Sequence, residues 1–154
     1  MEVKELASTR IYLDDLAVGD VFVSGTHQLN TQQIIQFASQ FDPQPFHLDP
    51  EAAKDTLFRG LAASGWHTMA ITMRLLVQSL PFAYGVIGAG GEVSWPQPTR
   101  PDDVLHVTST IVSITPSRSK PGQAIVVVES VTSNQHDEVR QKFTAKLLGF
   151  KKEV

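Results

Sequence analysis

The sequence contains no cysteine, no long apolar run and no excess of basic residues. The missing cysteine excludes thiolate catalysis, disulfides, iron–sulfur clusters and cysteine-based zinc sites. Because crossing a bilayer takes about 20 consecutive apolar residues, we expect no membrane span. The 13 Lys and Arg against 16 Asp and Glu give a net charge of −3, which argues against a nucleic-acid partner bound through its phosphates.

The 154 residues, 42% of them hydrophobic, suit a single domain over residues 1–154. Residues 1–10 mix both charges and lack the apolar stretch of a secretory signal, so we expect a solvated arm there. These features together predict a soluble, cytoplasmic protein.

Capping signals predict helices in the first half of the chain. A cap at Asn30, followed by apolar residues at three- and four-residue steps, predicts a helix over about 31–41. The two prolines within 42–48 predict a rigid, irregular segment after it. An Asp-Pro-Glu sequence from Asp49 then predicts the start of a short helix.

The longest predicted helix runs from Gly65 to Leu80 and is ended by a proline. Its broad apolar surface indicates a buried central helix. The stripe expected to be buried consists of Met69, Met73, Leu76 and Leu80, flanked by Ile71, Leu75 and Val77.

Segments rich in Val, Ile, Thr and Phe predict strands on both sides of these helices. One short strand is expected at 21–23, before the helices. Four follow them: Val86–Trp95, Val104–Ile114, Ala124–Ser133 and Val139–Phe150. Consecutive strands predict an antiparallel meander, and helices followed by strands predict an α+β class in which a sheet wraps one apolar helix.

The densest cluster of reactive side chains lies between Phe41 and Pro50, where Asp42 and His47 are five positions apart. An imidazole both gives and takes a proton near neutral pH, and a carboxylate beside it can hold a water. This spacing favours an acid–base pair. The alternative is that Asp42 and Asp49 cap helix ends and His47 packs beneath them; for Asp49 we prefer capping.

Small residues lead into the long helix at Gly65. A glycine at a helix N-terminus exposes backbone N–H groups, which can stabilise a developing oxyanion. The alternative is that Ser64 simply caps the helix.

The Asp42-x-x-Pro45-x-His47 motif, with Phe58 and then Gly65 opening an apolar helix, resembles the MaoC-like hydratase/dehydratase family, which includes the (R)-specific enoyl-CoA hydratases of the hydratase 2 type. The resemblance runs from about residue 16 to the final strand. It implies a hot-dog fold, a curved antiparallel sheet wrapped around a long central helix, and a homodimer.

The resemblance also implies a mechanism. Asp42 and His47 hold a water that attacks C3 of a trans-2-enoyl-CoA, giving a (3R)-hydroxyacyl-CoA, and the Gly65 N–H polarises the thioester carbonyl. The reverse reaction dehydrates the hydroxyacyl thioester. No metal and no cofactor is implied, because coenzyme A or an acyl carrier protein serves only as the substrate carrier.

Three positions depart from the family pattern. Gln44 stands where the family usually has Asn, and Ser64-Gly65-Trp66 stands where the family often has His-Gly-Met. We expect the Trp66 ring to narrow the tunnel that holds the acyl chain in this family, or to form one wall of it. The residues predicted to line the substrate pocket are Gln44, Phe46, Ser64, Trp66, His67, Met69 and Met73; alternatively His67 is a partly exposed polar residue and the methionines belong to the core.

Two other functions stay open: a hot-dog acyl-CoA thioesterase and a non-catalytic acyl-binding subunit. Several scattered cations are candidates for contacts with carrier phosphates, unless they are simply solvated. They are Arg74, Arg100, Arg118 and Lys120.

Overall fold

The computed structural model describes residues 10–152, so the predicted arm lies almost wholly outside the described residues. The described chain opens with a 3-10 turn, Leu13–Asp15. Strand β1, Val21–Val23, follows as predicted. A second strand, β2 (His27–Gln28), was not predicted.

Helix α1, Thr31–Phe41, has the predicted bounds. Asn30 Oδ1 accepts the Gln33 N–H at 2.9 Å, and Gln33 Oε1 accepts the Asn30 N–H at 3.2 Å. This reciprocal cap satisfies two backbone donors and fixes where the helix begins. Its last hydrogen bond runs from the Asp42 N–H to the carbonyl of Ala38, which places Asp42 directly at the helix end.

Two single-turn helices follow, α2 (Pro45–Leu48) and α3 (Pro50–Ala53). The prediction of an irregular segment over 42–48 is therefore wrong from Pro45 onward, because a proline at the first helical position gives up an N–H that has no partner there anyway. Asp49 caps α3, since its Oδ1 accepts the N–H groups of Glu51 and Ala52 at 3.0 and 3.3 Å. The capping interpretation of Asp49 is confirmed.

Helix α4, Gly65–Ser79, is the predicted long helix. Its buried side carries Ile71, Leu75 and Leu76, whereas Met73 and Val77 are 36% and 47% exposed. The predicted stripe is thus confirmed at Leu76 and Leu80, which are 1% and 0% exposed, and is wrong at Met73. Apolar residues surround more than half of α4, so their spacing alone does not say which side faces the sheet. No helix in residues 10–152 is long and apolar enough to span a bilayer.

The sheet contains β1, β2 and four longer strands: β3 (Gly88–Ser94), β4 (Val104–Pro116), β5 (Gln123–Ser133) and β6 (Val139–Phe150). Their order is β1-β4-β5-β6-β3, all antiparallel, with β2 also paired to β4. The predicted meander holds for β4 to β6. Strand β3 instead pairs with β6 at the far edge, because strand pairing is set by contacts distant in sequence.

Alternating apolar residues of β4, β5 and β6 pack against α4. The largest buried cluster includes Phe22, Leu76, Ile111, Val126 and Leu147, each at most 1% exposed. Burial of each such side chain contributes about 1.5–3 kcal/mol. The α+β class is confirmed, and the long helix held in a curved antiparallel sheet matches the expected hot-dog arrangement. The N-terminal end of α4 lies beside Asp42 and the α2 turn.

Candidate active site

Asp42 and His47 meet at the junction of α1 and α2. Asp42 Oδ2 lies 3.3 Å from His47 Nε2, and only 4% of His47 is exposed. A tight turn brings them together, because the Gln44 N–H donates to the Asp42 carbonyl at 2.8 Å and the His47 N–H donates to the Gln44 carbonyl at 2.9 Å. The five-residue spacing therefore produces a carboxylate–imidazole pair.

The orientation of the His47 ring is set by its other nitrogen. Nδ1 lies 2.6 Å from the carbonyl oxygen of Ala62. A carbonyl only accepts hydrogen bonds, so this contact assigns the proton of the neutral ring to Nδ1. The lone pair of Nε2 is then on the side of Asp42, where it can accept a proton from a water that hydrogen-bonds to both groups.

The Asp42 carboxyl is held in its ionised form. Burial raises its pKa, but the amide of Gln44, the hydroxyl of Ser64 and the charge of His47 together lower it below its ordinary value. Gln44 Nε2 donates to Asp42 Oδ1 at 2.5 Å. The glutamine thus supports the carboxylate from the side away from His47.

Gly65 is the first residue of α4, so its N–H has no acceptor within the helix. Ser64 Oγ accepts the Trp66 N–H at 3.2 Å, which means that Ser64 caps the helix while Gly65 keeps its position at the terminus. A side chain at Gly65 would be crowded, because an added Cβ would lie 2.7–3.0 Å from the ring of Trp95.

Trp95 is a wall of the site that the sequence analysis missed. Its Nε1 donates to Oε1 of the fully buried Gln141 at 2.9 Å, and its ring meets that of Trp66 edge to face at 5.9 Å. The residue follows the last position of β3 with no motif around it. Only the antiparallel pairing of β3 with β6 brings it over α4.

A cavity of about 580 Å³ contains these groups. Its predicted members are Asp42, His47, Gly65 and Trp66, and its remaining lining is Leu57, Phe58, Ala63, Thr68, Trp95, Pro96, Gln97, Pro98, Thr99 and Arg100. The lining is mainly apolar and aromatic, with the carboxylate and imidazole at one side. Such a composition is typical of a site for an organic substrate.

Five of the predicted pocket residues lie outside this lining. Gln44 contacts Asp42, and the Phe46 ring packs edge to face on His47 at 4.6 Å. Ser64 caps α4. Met69 Sδ lies 3.5 Å from the Gln141 amide nitrogen, and Met73 is partly exposed. Only the beginning of α4 reaches the cavity, so residues further along the helix point elsewhere.

His67, the remaining predicted pocket residue, lies beside a different cavity of about 380 Å³ together with His27 and Arg74. Only 8% of it is exposed, which also differs from the alternative of a partly exposed polar residue, and its ring stacks on Phe37 with centroids 4.5 Å apart. Burial, with a smaller effect from His27, lowers the pKa of His67 to about 4. This histidine is neutral at physiological pH.

A model of the MaoC-like domain matches residues 17–138. This chain belongs to the MaoC-like domain family. The family assignment confirms the resemblance carried by Asp42, His47 and Gly65, and the hot-dog fold with it. Individual similar proteins show how far the similarity extends in sequence and in structure.

A MaoC-like dehydratase from Rhodospirillum rubrum is 59% identical and superposes with a TM-score of 0.92, covering 94% of this chain and 99% of that one. An uncharacterised protein of Bacillus subtilis strain 168, YdeM, is 33% identical over 81% of this chain and 89% of its own. The R-hydratase PhaJ1 of Pseudomonas aeruginosa, 22% identical, shares the fold with a TM-score of 0.74 over 93% of this chain and 88% of its own.

Proposed function

We propose that this protein is an acyl-thioester hydratase/dehydratase that adds water reversibly to a trans-2-enoyl-CoA to give a (3R)-hydroxyacyl-CoA. The proposal is carried by one observation: Asp42 Oδ2 and His47 Nε2 converge to 3.3 Å in the same cavity that contains the N-terminal glycine of α4. Water activation and enolate stabilisation need these two features side by side.

In the proposed hydration, one water in the cavity hydrogen-bonds to both the Asp42 carboxylate and His47 Nε2. The water oxygen bonds to C3 while Nε2 takes one of its protons, and the C2–C3 π electrons shift toward the thioester. The resulting enolate oxygen accepts a hydrogen bond from the Gly65 N–H at the positive end of the α4 dipole. The His47–Asp42 pair then returns a proton to C2, which completes the addition.

The same groups run in reverse for dehydration, removing a proton from C2 and protonating the departing hydroxyl. The proposed steps use a carboxylate, an imidazole and a backbone amide, and call for no metal or redox cofactor. Coenzyme A or an acyl carrier protein is proposed as carrier. The Rhodospirillum rubrum protein that is 59% identical to this chain is a MaoC-like dehydratase, which supports this reaction class.

We also propose that the working unit is a homodimer. Trp66, Ala70, Met73 and Val77 form an exposed stripe along one side of α4, and the edge strand β3 is exposed along nearly its whole length. An apolar stripe next to an unpaired strand edge is a surface that a second copy would cover.

Light scattering is expected to show a dimer for the natural sequence and a shift toward monomer for Met73→Glu. A monomeric natural protein would contradict the proposal.

The reaction is tested by incubating the protein with crotonyl-CoA and longer enoyl-CoA substrates while following two signals. Loss of the conjugated enoyl absorbance without release of free thiol is the expected result. Release of thiol would instead identify a thioesterase. Calorimetric binding of acyl-CoA with no change in either signal, over enoyl and 3-hydroxyacyl thioesters of varied size, would identify an acyl-binding subunit.

A further inference from the structure

We propose that Arg100 is a positioning residue for His47. It acts through the backbone of residues 58–62, which are part of the loop between α3 and α4. The inference rests on the proposed function for its kinetic consequence, although the contacts themselves do not depend on it. From the sequence alone, Arg100 was expected either to contact carrier phosphates or to be solvated. The structure places its guanidinium against the protein backbone.

The Arg100 guanidinium donates to three carbonyl groups of this loop. Nη1 lies 3.1 Å from the Gly60 oxygen and 3.2 Å from the Leu61 oxygen, and Nη2 lies 2.5 Å from the Phe58 oxygen. Hydrogen bonds from a charged donor are stronger than those between neutral groups. The side chain therefore holds three backbone carbonyls between Phe58 and Leu61.

The loop has a conformation that needs such support. Arg59 has a φ of 55°, in the left-handed region that costs a residue with a side chain on the order of 1 kcal/mol. Three carbonyl dipoles also point toward one another around Arg100, which is unfavourable unless a cation lies between them. Without the guanidinium, we expect the backbone of this loop to change conformation.

The next residue of the loop carries the contact that orients His47. The carbonyl of Ala62 accepts the hydrogen bond of His47 Nδ1 at 2.6 Å, and the Ala62 N–H donates to the Phe46 carbonyl at 3.0 Å. Ala62 directly follows Leu61, whose carbonyl Arg100 holds. Any movement of the loop is thus passed within one peptide unit to the acceptor of the catalytic imidazole.

Arg100 is itself fixed to the sheet. Its N–H donates to Asp103 Oδ2 at 2.8 Å, and Asp103 accepts two hydrogen bonds from Arg140 of β6 at 2.9 and 3.3 Å. Asp103 and Arg140 are 5% and 7% exposed. Hydrogen bonds therefore connect the buried ion pair at the sheet, through Arg100 and the loop, to His47.

The consequence concerns the tautomer of His47. Loss of the Ala62 acceptor would let the ring proton move from Nδ1 to Nε2, which removes the lone pair that the proposed mechanism uses. Arg100→Met removes the donors while keeping an unbranched chain, so turnover is expected to fall about 10- to 100-fold, in line with a misplaced catalytic group. Arg100 borders the cavity, but its Nη1 and Nη2 donate to backbone carbonyls, so KM is expected to change far less than kcat.

The test measures kcat and KM for crotonyl-CoA hydration together with the ¹⁵N chemical shifts of the His47 ring. In the natural protein we expect a protonated Nδ1 and an unprotonated Nε2. Arg100→Met is expected to give a mixture of tautomers and a lowered kcat, and Arg100→Lys, which restores one charged donor, is expected to fall between the two. Arg10→Met, at an exposed arginine at the N-terminal end of the described residues, is the matched control and should behave as the natural protein.

Unchanged His47 shifts in both Arg100 variants would overturn the proposal, whatever happens to turnover. If Arg100→Met does not fold, the Arg100→Lys spectrum decides in the same way. The ¹⁵N measurement needs no substrate, so it separates this proposal from the proposed reaction. If the natural protein hydrates no enoyl thioester, the proposed reaction is contradicted. If the Arg100 variants nevertheless show a mixture of His47 tautomers, the positioning role is supported.

Discussion

His47 and His67 are both buried histidines near the start of α4, with 4% and 8% of their surfaces exposed. At His47 both ring nitrogens have polar neighbours, the Ala62 carbonyl and the Asp42 carboxylate. At His67 the ring lies flat on Phe37, and its Nδ1 has no hydrogen-bond partner within the described residues. Burial of an imidazole therefore does not by itself identify a reactive group.

The two surroundings have opposite consequences for proton transfer. The pKa of His67 falls to about 4 because burial disfavours the charged ring, so the ring cannot hold a proton near neutral pH. The His47 ring instead faces the Asp42 carboxylate, with Nε2 and Oδ2 3.3 Å apart, so the two groups can hold one water in common. What separates a packing histidine from a candidate acid–base residue is its partners.

The largest expected effect is a difference in kcat between the glutamine variants of the two histidines. His47→Gln should lower kcat for enoyl-CoA hydration by about 10³-fold, since glutamine cannot accept and return a proton. His67→Gln should lower it by less than about 10-fold, because His67 lies beside another cavity. Initial rates of absorbance loss, with circular dichroism to verify folding, measure both. Equal losses would break the distinction between the two histidines.

A smaller effect is expected at the helix N-terminus. In Gly65→Ala, the new Cβ would meet the Trp95 ring at 2.7–3.0 Å, so either the ring or the first turn of α4 must shift. We expect a loss of about 1–3 kcal/mol in the free energy of unfolding and a kcat lowered about 100-fold. Urea unfolding and hydration kinetics measure the two.

Gly25→Ala is the matched control, because an added Cβ there has nothing within 4 Å. Its unfolding free energy and turnover should stay near the natural values. A Gly65→Ala variant that is as active as this control would contradict the expectation that the new Cβ, by meeting Trp95, moves the N-terminal amide of α4 away from the reacting oxygen.

The smallest effect concerns stability against pH. The folded-state pKa of His67 is lowered from 6.5 to about 4, so the unfolded chain binds a proton in this window that the folded protein does not. Its contribution to stability is complete above pH 6.5 and declines as the pH falls toward 4, by at most about 3 kcal/mol. His67→Phe keeps the stacked ring without titrating.

Urea unfolding of both proteins at several pH values between 7 and 4 checks this. The natural protein should lose more unfolding free energy than His67→Phe over that range. The remaining decline of the variant includes His27, whose pKa burial and Arg74 also lower. Parallel curves for the two proteins would mean that His67 is not desolvated in solution.

Local chemistry explains which parts of the fold the sequence predicted. The start of α1 follows from Asn30 and Gln33, which cap each other three residues apart, and the start of α3 follows from Asp49. The closeness of Asp42 and His47 was likewise predictable, since a short turn joins them. Each of these features depends on neighbours within about five residues.

Features set by distant contacts were not predictable. Met73 was assigned to the core because apolar residues cover adjoining sides of α4, and only the position of the sheet decides between them. The pairing of β3 with β6 brings Trp95 over Gly65. These two residues are far apart in the sequence, so no local pattern predicts their contact. Arg100 was considered only for its charge, whereas its acceptors are backbone carbonyls about 40 positions earlier.

The central claim, that Asp42 and His47 act together on one water, is tested most directly by a double-mutant cycle on crotonyl-CoA hydration. Asp42→Asn and His47→Gln are each expected to lower kcat by about 10³-fold, and the double variant by no more than about 10-fold further, because either change alone disables the pair. A double variant whose loss approaches the product of the two single losses would contradict the account.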